Sequence, residues 1–173
     1  MATGVPIQPR DDLGHFMLPQ APEEAGYYVY GNVGGVAGTG HLAQYAHPDL
    51  LTVIFWVEQQ WQAVDHRKFG IGNISVANGR KFDHRTHMKG IEVDIWPVRK
   101  DRLVGQAARC SRFDEKVYDR AATVKLVQLF SRHPMVRIIY FNDEKVQQAC
   151  GRGRVKYWPD HDDHLHIAIW ERR

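Results

Sequence analysis

The sequence predicts an α+β fold in which a small mixed or antiparallel sheet packs against helices. Two segments, Pro48 to Val64 and Tyr118 to Arg132, carry apolar residues at helical spacing. Two others, Ile91 to Trp96 and His164 to Trp170, alternate in the manner of half-buried strands. No internal repeat is present, and a chain of 173 residues with 43% hydrophobic content is large enough for one domain with its own core.

The first 26 residues are rich in Pro, Gly and acidic residues and show no periodicity, which indicates an extended arm or surface loop. Residues 27–173 are then expected to form a single domain. Its first segment sets Tyr27, Tyr28 and Tyr30 among glycines. These tyrosines are expected to cover the core, with a pocket lining as the alternative.

The first helix is predicted over Pro48 to Val64, because proline is tolerated in a first helical turn. His47 is interpreted as a residue of the helix start. The broad buried face of this helix consists of Leu50, Leu51, Ile54, Val57, Trp61 and Val64. The segment FGIGNISV that follows predicts a strand leading into a loop over Ala77 to Arg80.

The remaining elements are predicted from the periodicity of apolar residues and from capping residues. In the strand Ile91 to Trp96, the side chains of Glu92, Asp94 and Trp96 share one face. Residues 98–112 are basic and irregular, consistent with a hairpin or long loop. VRIIYF, residues 136–141, predicts a compact strand, after which Asn142 or Asp143 is expected to cap a short helix that ends near Cys150.

The net charge and the two cysteines exclude few classes of function. A net charge of +3 and a pI near 8.9 favour an anionic partner without identifying it. Cys110 and Cys150 form no CxxC pair, which argues against a thiolate zinc site and leaves open whether they pair with each other. The N-terminus has no apolar run typical of a signal peptide, and no segment is apolar enough to span a membrane. The chain is therefore expected to be made in the cytoplasm.

A metal site is predicted from two segments that combine histidines with carboxylates, HMKGIEVD and HDDHLH. Catalytic zinc takes three protein ligands from His, Asp or Glu and keeps a position for water. His87, Asp94 and His166 supply such a set from a loop and two strands. Gly90 lets the chain turn between the first two without a Cβ in the way. A zinc ion there would activate water for attack on an amide.

Proton carriers are expected beside this metal. His164 lies on the same strand face as His166 and is suited to stabilise an oxyanion or move a proton. One of His161, Asp160 and Asp163 would act as the general base, and His161 is preferred because imidazole titrates near neutral pH. Asp83 and Glu92 are candidates to hold a ligand histidine's second nitrogen. The histidines expected merely to be solvated are His15, His41, His66 and His133.

The motifs resemble a known enzyme family. HMKGIEVD fits the pattern HxxGxxxD, and HLH fits HxH, of the superfamily that includes D-alanyl-D-alanine metallopeptidases and the hedgehog domain. Within it, the order FGIGNIS, DHRTHMKGIEVDIW, YDRAATVKLVQLF, RIIYFNDEKVQQAC and HDDHLH, over about Ala43 to Trp170, resembles penicillin-insensitive murein endopeptidases.

This resemblance implies a hedgehog-like or D-Ala-D-Ala-peptidase-like fold over residues 27–173 and a Zn²⁺-dependent peptidoglycan DD-endopeptidase. Its substrate would be the D-Ala to meso-diaminopimelate cross-link between stem peptides. The implied zinc ligands are His87, Asp94 and His166, and the implied catalytic residues are His161 and His164. His84, which also matches a family histidine, is expected to line the cleft.

The resemblance places the action in the periplasm or cell wall, whereas no signal peptide is evident. Delivery as a phage lysin or as an injected antibacterial effector, the latter with a cognate immunity protein, is therefore expected; nucleic acid is not an expected partner. Two alternatives stay open: a zinc-containing peptidoglycan-binding module without catalysis, and a non-haem iron oxygenase, whose carboxylate usually follows the first histidine by two residues rather than seven.

Overall fold

The computed structural model describes residues 9–172, and its architecture is α+β. The helices are α1 (Pro48–Val64), α2 (Arg120–Arg132) and α3 (Glu144–Cys150). The strands are β1 (Phe16–Met17), β2 (Tyr27–Val29), β3 (Tyr45–Ala46), β4 (Phe69–Ile71), β5 (Glu92–Ile95), β6 (Val136–Tyr140), β7 (Val155–Lys156) and β8 (Leu165–Ile169). Short 3-10 turns lie at Gly40–Ala43, Ala77–Gly79 and Gln106–Ala108.

One mixed sheet organises the fold. Its six strands lie in the order β2-β4-β5-β8-β6-β7, while β1 and β3 form a small antiparallel sheet of their own. The two outer pairs, β2 with β4 and β6 with β7, are parallel, and the inner pairs are antiparallel. The predicted mixed sheet packed against helices is confirmed.

The central strands β5 and β8 hold residues of the segments HMKGIEVD and HDDHLH side by side. Asp94 pairs with His166, and Ile95 pairs with Leu165. Because successive side chains alternate between faces, Ile95 and Leu165 are buried in the core. Asp94 and His166 therefore lie together on the opposite face, where the site is built.

Helix α1 has the predicted bounds. The His47 side chain accepts a hydrogen bond from the Asp49 backbone N–H, which satisfies one of the free donors of the first turn. Trp61 is fully buried and meets the Phe69 ring edge to face. Val64, predicted on the buried face, is instead 53% exposed, because it is the last residue of the helix.

Two other predicted elements have different bounds in the structure. Helix α2 begins at Arg120 rather than Tyr118, since the Asp119 side chain accepts from the Ala122 N–H and so acts as N-cap. The strand predicted over FGIGNISV covers only Phe69–Ile71. Asp143 caps α3 as predicted.

Residues 9–26 lie against the rest of the fold. Phe16 and Met17 pair with β3, and Leu18 is fully buried in the core. Residues 1–8 of the predicted arm lie outside the described residues, and the division of the chain near residue 26 stays a prediction. Cys110 and Cys150 are both free thiols. No helix within residues 9–172 has the length and apolarity needed to cross a membrane.

Candidate active site

Three predicted ligand atoms converge in a small triangle. His87 Nε2 lies 3.1 Å from His166 Nδ1 and 3.4 Å from Asp94 Oδ1, and His166 Nδ1 lies 3.3 Å from the same oxygen. Ligand atoms about 2.0 to 2.1 Å from a tetrahedral metal are roughly 3.3 Å from one another. The spacing of these atoms, here called the ligand triangle, fits a small divalent cation such as zinc.

Backbone and side-chain contacts turn the free nitrogen of each histidine toward the triangle. His87 Nδ1 lies 2.9 Å from the Ile74 carbonyl, which only accepts, so Nδ1 carries the proton and Nε2 keeps its lone pair. On His166, Nε2 lies 3.5 Å from Glu92 Oε1, and Nδ1 faces the triangle. Both histidines thus have the carbonyl or carboxylate partner that orients metal-binding imidazoles.

The third ligand atom of the triangle, Asp94 Oδ1, shows that the site suits a cation. Asp94 Oδ1 is buried and has no hydrogen-bond partner among the described residues. A buried carboxylate oxygen without a partner costs free energy unless a positive charge meets it. Two neutral imidazoles and one carboxylate also form a donor set that zinc accepts. The residues present therefore fit a metal ion.

The loop before β5 is shaped to deliver His87. His87 has a φ of 61°, a left-handed conformation uncommon for a residue other than glycine. Its backbone N–H donates to Glu92 Oε2 at 2.5 Å, which holds this conformation. Gly90 has a φ of 66°, and a Cβ there would come within 2.7 Å of the His47 backbone nitrogen. Glycine is required at this turn because the loop packs directly on the start of α1.

His84 extends the set of possible ligands. His84, His87 and Asp94 form one compact group of candidate metal-binding side chains, and His87, Glu92 and His166 form another. His84 Nδ1 lies 3.9 Å from Asp94 Oδ2, and its Nε2 lies 2.7 Å from the Asn73 amide nitrogen. His84 lines the cleft beside the ligand triangle.

His161 and His164 form a second pair of imidazoles next to the triangle. Their ring centroids are 4.6 Å apart, and the His161 ring lies 5.8 Å from that of His166. His161 Nδ1 lies 2.7 Å from the Pro159 carbonyl, so this nitrogen donates and Nε2 is free to accept a proton. Burial lowers the pKa of His161 and favours its neutral form.

Asp163 holds His164 rather than standing free. Asp163 Oδ1 lies 2.8 Å from His164 Nδ1, and Arg109 Nε donates to Asp163 Oδ2 at 2.7 Å. Hydrogen bonds from these two partners lower the pKa of Asp163 to about 2. A carboxylate engaged on both oxygens is a poor general base, which leaves His161 and Asp160 as the candidates.

The carboxylates around His166 set its charge state in the metal-free protein. Burial by itself would lower the pKa of His166, but the neighbouring carboxylates of Asp94 and Glu92 raise it to about 9. Burial would also raise the pKa of Asp94, yet the neighbouring His87 and His166 hold it well below its usual range. Asp94 is therefore ionised at neutral pH and ready to pair with a cation.

The site lies where two halves of a cleft meet. The Trp96 half, of about 640 Å³, extends toward Tyr30, Trp96 and Arg109. The Tyr140 half, of about 810 Å³, extends toward Arg137, Tyr140 and Trp158. Both halves include His84, Asp94 and His164 in their walls. A chain lying across the cleft would therefore pass the ligand triangle near its middle.

Some residues of the site differ from the sequence-based expectation. Tyr30 stacks on Trp96, with ring centroids 3.5 Å apart, and lines the cleft, which was the alternative to its expected place over the core. Arg109 reaches Asp163 across 54 positions of sequence. Asp83, a candidate partner for a ligand histidine, instead accepts a hydrogen bond from the Gly34 N–H.

Two histidines set aside as solvated are buried. His15 and His133 are only 6% and 8% exposed. The His133 ring meets Trp56 edge to face. Neither lies in the walls of the two cleft halves.

Comparison with known proteins identifies the family that such a site belongs to. The family model for penicillin-insensitive murein endopeptidases matches residues 38–170, which is well over half of the chain. A search of curated proteins gave no match. The matched range contains the ligand triangle, both imidazoles of the second pair and all strands from β3 to β8.

Proposed function

Because the chain belongs to the penicillin-insensitive murein endopeptidase family, we propose that it is a zinc-dependent DD-endopeptidase that hydrolyses the D-Ala to meso-diaminopimelate cross-link between stem peptides. The single observation that carries the metal requirement is the ligand triangle, with edges of 3.1 to 3.4 Å and an unpartnered buried carboxylate oxygen. His87, Asp94 and His166 are the proposed ligands.

Zinc in a three-ligand site supplies an activated water and polarises the scissile carbonyl. The protein supplies the groups that move protons. His161 is the proposed general base, because Pro159 engages its Nδ1 and leaves Nε2 free to take a proton from the attacking water. The same nitrogen can then return that proton to the departing amine.

His164 is proposed to stabilise the negative charge that develops on the carbonyl oxygen. Asp163 engages Nδ1 of this ring and fixes its orientation, so that a proton on Nε2 would be donated to the oxyanion. Arg109 supports Asp163 from its other oxygen. A donor fixed in advance costs no reorganisation when the oxyanion forms.

Products of peptidoglycan digestion test this function. The zinc-loaded protein and its His166→Ala variant are incubated with diaminopimelate-type peptidoglycan, and the muropeptides are identified by mass spectrometry. We expect cross-linked dimers to become monomers with the wild type alone, with the cut at the D-Ala carbonyl. Intact dimers with zinc bound to the protein would overturn the proposal and favour a binding module. The route of delivery and an immunity partner stay predictions.

A further inference from the structure

The two halves of the cleft differ in how their arginines are used. In the Trp96 half, Arg109 is committed to Asp163 through both its Nε and a terminal nitrogen. In the Tyr140 half, Arg85 and Arg137 line the wall. Within residues 9–172, neither of these two arginines has an ion pair or hydrogen bond from its guanidinium to another side chain.

The two arginines come from different elements of the fold. Arg137 lies on β6, directly beside β8, and its side chain is exposed and lines the cleft. Arg85 lies between His84 and His87 in the loop that delivers the first proposed ligand. Glu92, the carboxylate that lines this half but not the other, already holds His166 and the His87 backbone N–H.

Unpaired guanidinium groups in a concave wall are suited to an anion. A guanidinium presents a planar fork of donors that matches both oxygens of a carboxylate. Asp83, Asp94 and Asp160 line both halves, and the Trp96 half adds Asp162, Asp163 and the flat stack of Tyr30 on Trp96. Its one wall arginine among the described residues, Arg109, is already paired with Asp163. A carboxylate on the substrate would therefore favour the Tyr140 half.

The proposed substrate carries such a group beside the bond that is cut. The carbon of diaminopimelate whose nitrogen is acylated by D-alanine keeps its own carboxylate. We propose that Arg137 and Arg85 bind this carboxylate, so that the amine side of the cross-link lies in the Tyr140 half and the D-alanine side lies in the Trp96 half. This inference rests on the proposed function and adds the orientation and the specificity of the substrate.

The substrate pair that tests the proposal differs at one group. One cross-linked dimer has the free carboxylate on that carbon, and the other has a carboxamide there. Values of kcat/KM for both are measured with the zinc-loaded wild type and with Arg137→Gln, Arg85→Gln and the double variant. Loss of a hydrogen bond to a charged group costs roughly tenfold to a hundredfold. We expect the wild type to prefer the free-acid dimer by such a factor and the double variant to lose that preference.

A matched control removes the same charge elsewhere. Arg152 is exposed and lines neither half of the cleft, so Arg152→Gln should keep the wild-type preference. Equal cleavage of both dimers by the wild type, or an unchanged preference in the double variant, would overturn the proposal.

Failure of the proposed function is recognised separately. If the zinc-loaded wild type leaves both dimers intact, calorimetric binding of the same two dimers decides the carboxylate contact. Tighter binding of the free-acid dimer by wild type and Arg152→Gln, but not by the double variant, would support the arginine site in a non-hydrolytic protein. Equal binding of the two dimers by the wild type would overturn the proposal that these arginines bind the substrate carboxylate.

Discussion

The ligand triangle and the His161–His164 pair share one cleft, but the protein holds them in different ways. Asp94 and His166 lie opposite each other on paired central strands, and His87 is 1% exposed. His161 and His164 come from the loop before β8 and are half-buried. The difference suits the two tasks, because metal ligands need fixed positions and proton carriers need access to water.

The largest expected effect breaks the triangle itself. His166→Ala should abolish both zinc binding and hydrolysis, because two ligands cannot hold the metal in an open site. Zinc content by mass spectrometry and dimer cleavage are measured on the same preparation. His66→Ala, at an exposed histidine outside the cleft, is the control and should match the wild type. Full zinc occupancy in His166→Ala would show that other residues bind the metal.

The second largest expected effect distinguishes the role of the His161–His164 pair from that of the ligand triangle. His164→Ala should keep zinc bound while the rate falls on the order of a hundredfold or more, as loss of an oxyanion donor does. Zinc content and kcat are measured together. A normal rate would remove His164 from the mechanism, and lost zinc would place it among the ligands.

A smaller effect tests how the triangle is supported. Glu92→Gln keeps the size of the side chain but removes the charge that faces His166 Nε2. Replacing such a partner weakens metal binding by roughly 10- to 100-fold. Competition with a chromophoric chelator measures the change, and Glu171→Gln, at an exposed carboxylate, serves as control. Unchanged affinity would mean that Glu92 only shapes the loop through the His87 N–H.

The smallest expected effect concerns Asp143, which lies outside both the ligand triangle and the His161–His164 pair. Burial would raise the pKa of Asp143, but hydrogen bonds from Arg120 and Tyr118 hold it below its usual value. Asp143→Asn should lower the free energy of unfolding by about 1 kcal/mol at neutral pH.

The sign of its pH dependence follows from that lowered pKa. The stabilisation is complete above the unfolded pKa of about 3.9 and is lost as the pH falls through the folded value. Denaturation by urea from pH 7 to pH 3 should therefore show wild type and Asp143→Asn converging in acid, with zinc binding at pH 7 alike in both. A constant difference across this range would show that the charge of Asp143 is not the stabilising feature.

Much of the fold could be predicted because its signals are local. The bounds of α1 follow from apolar spacing and from Pro48, and the facing of Asp94 and Trp96 follows from strand period. Element ends were less predictable. The strand beginning at Phe69 ends at Ile71, although the chain stays beside β5: the Gly72 N–H donates to the Asp94 carbonyl, and the Asp94 N–H donates to the Asn73 carbonyl.

The sequence by itself determined the candidate ligands, the two-residue spacing of His164 and His166 and the family motif, since these depend on residue type and short spacing. Only the tertiary structure decided how His87 meets His166 across 79 positions and which nitrogen of each ring is free. It also decided that Arg109 holds Asp163, while Arg85 and Arg137 have no side-chain partner within residues 9–172. The physical reason is that the periodicity of a sequence indicates only on which face of a helix or strand a side chain lies. Partners distant in sequence are chosen only when the whole chain packs.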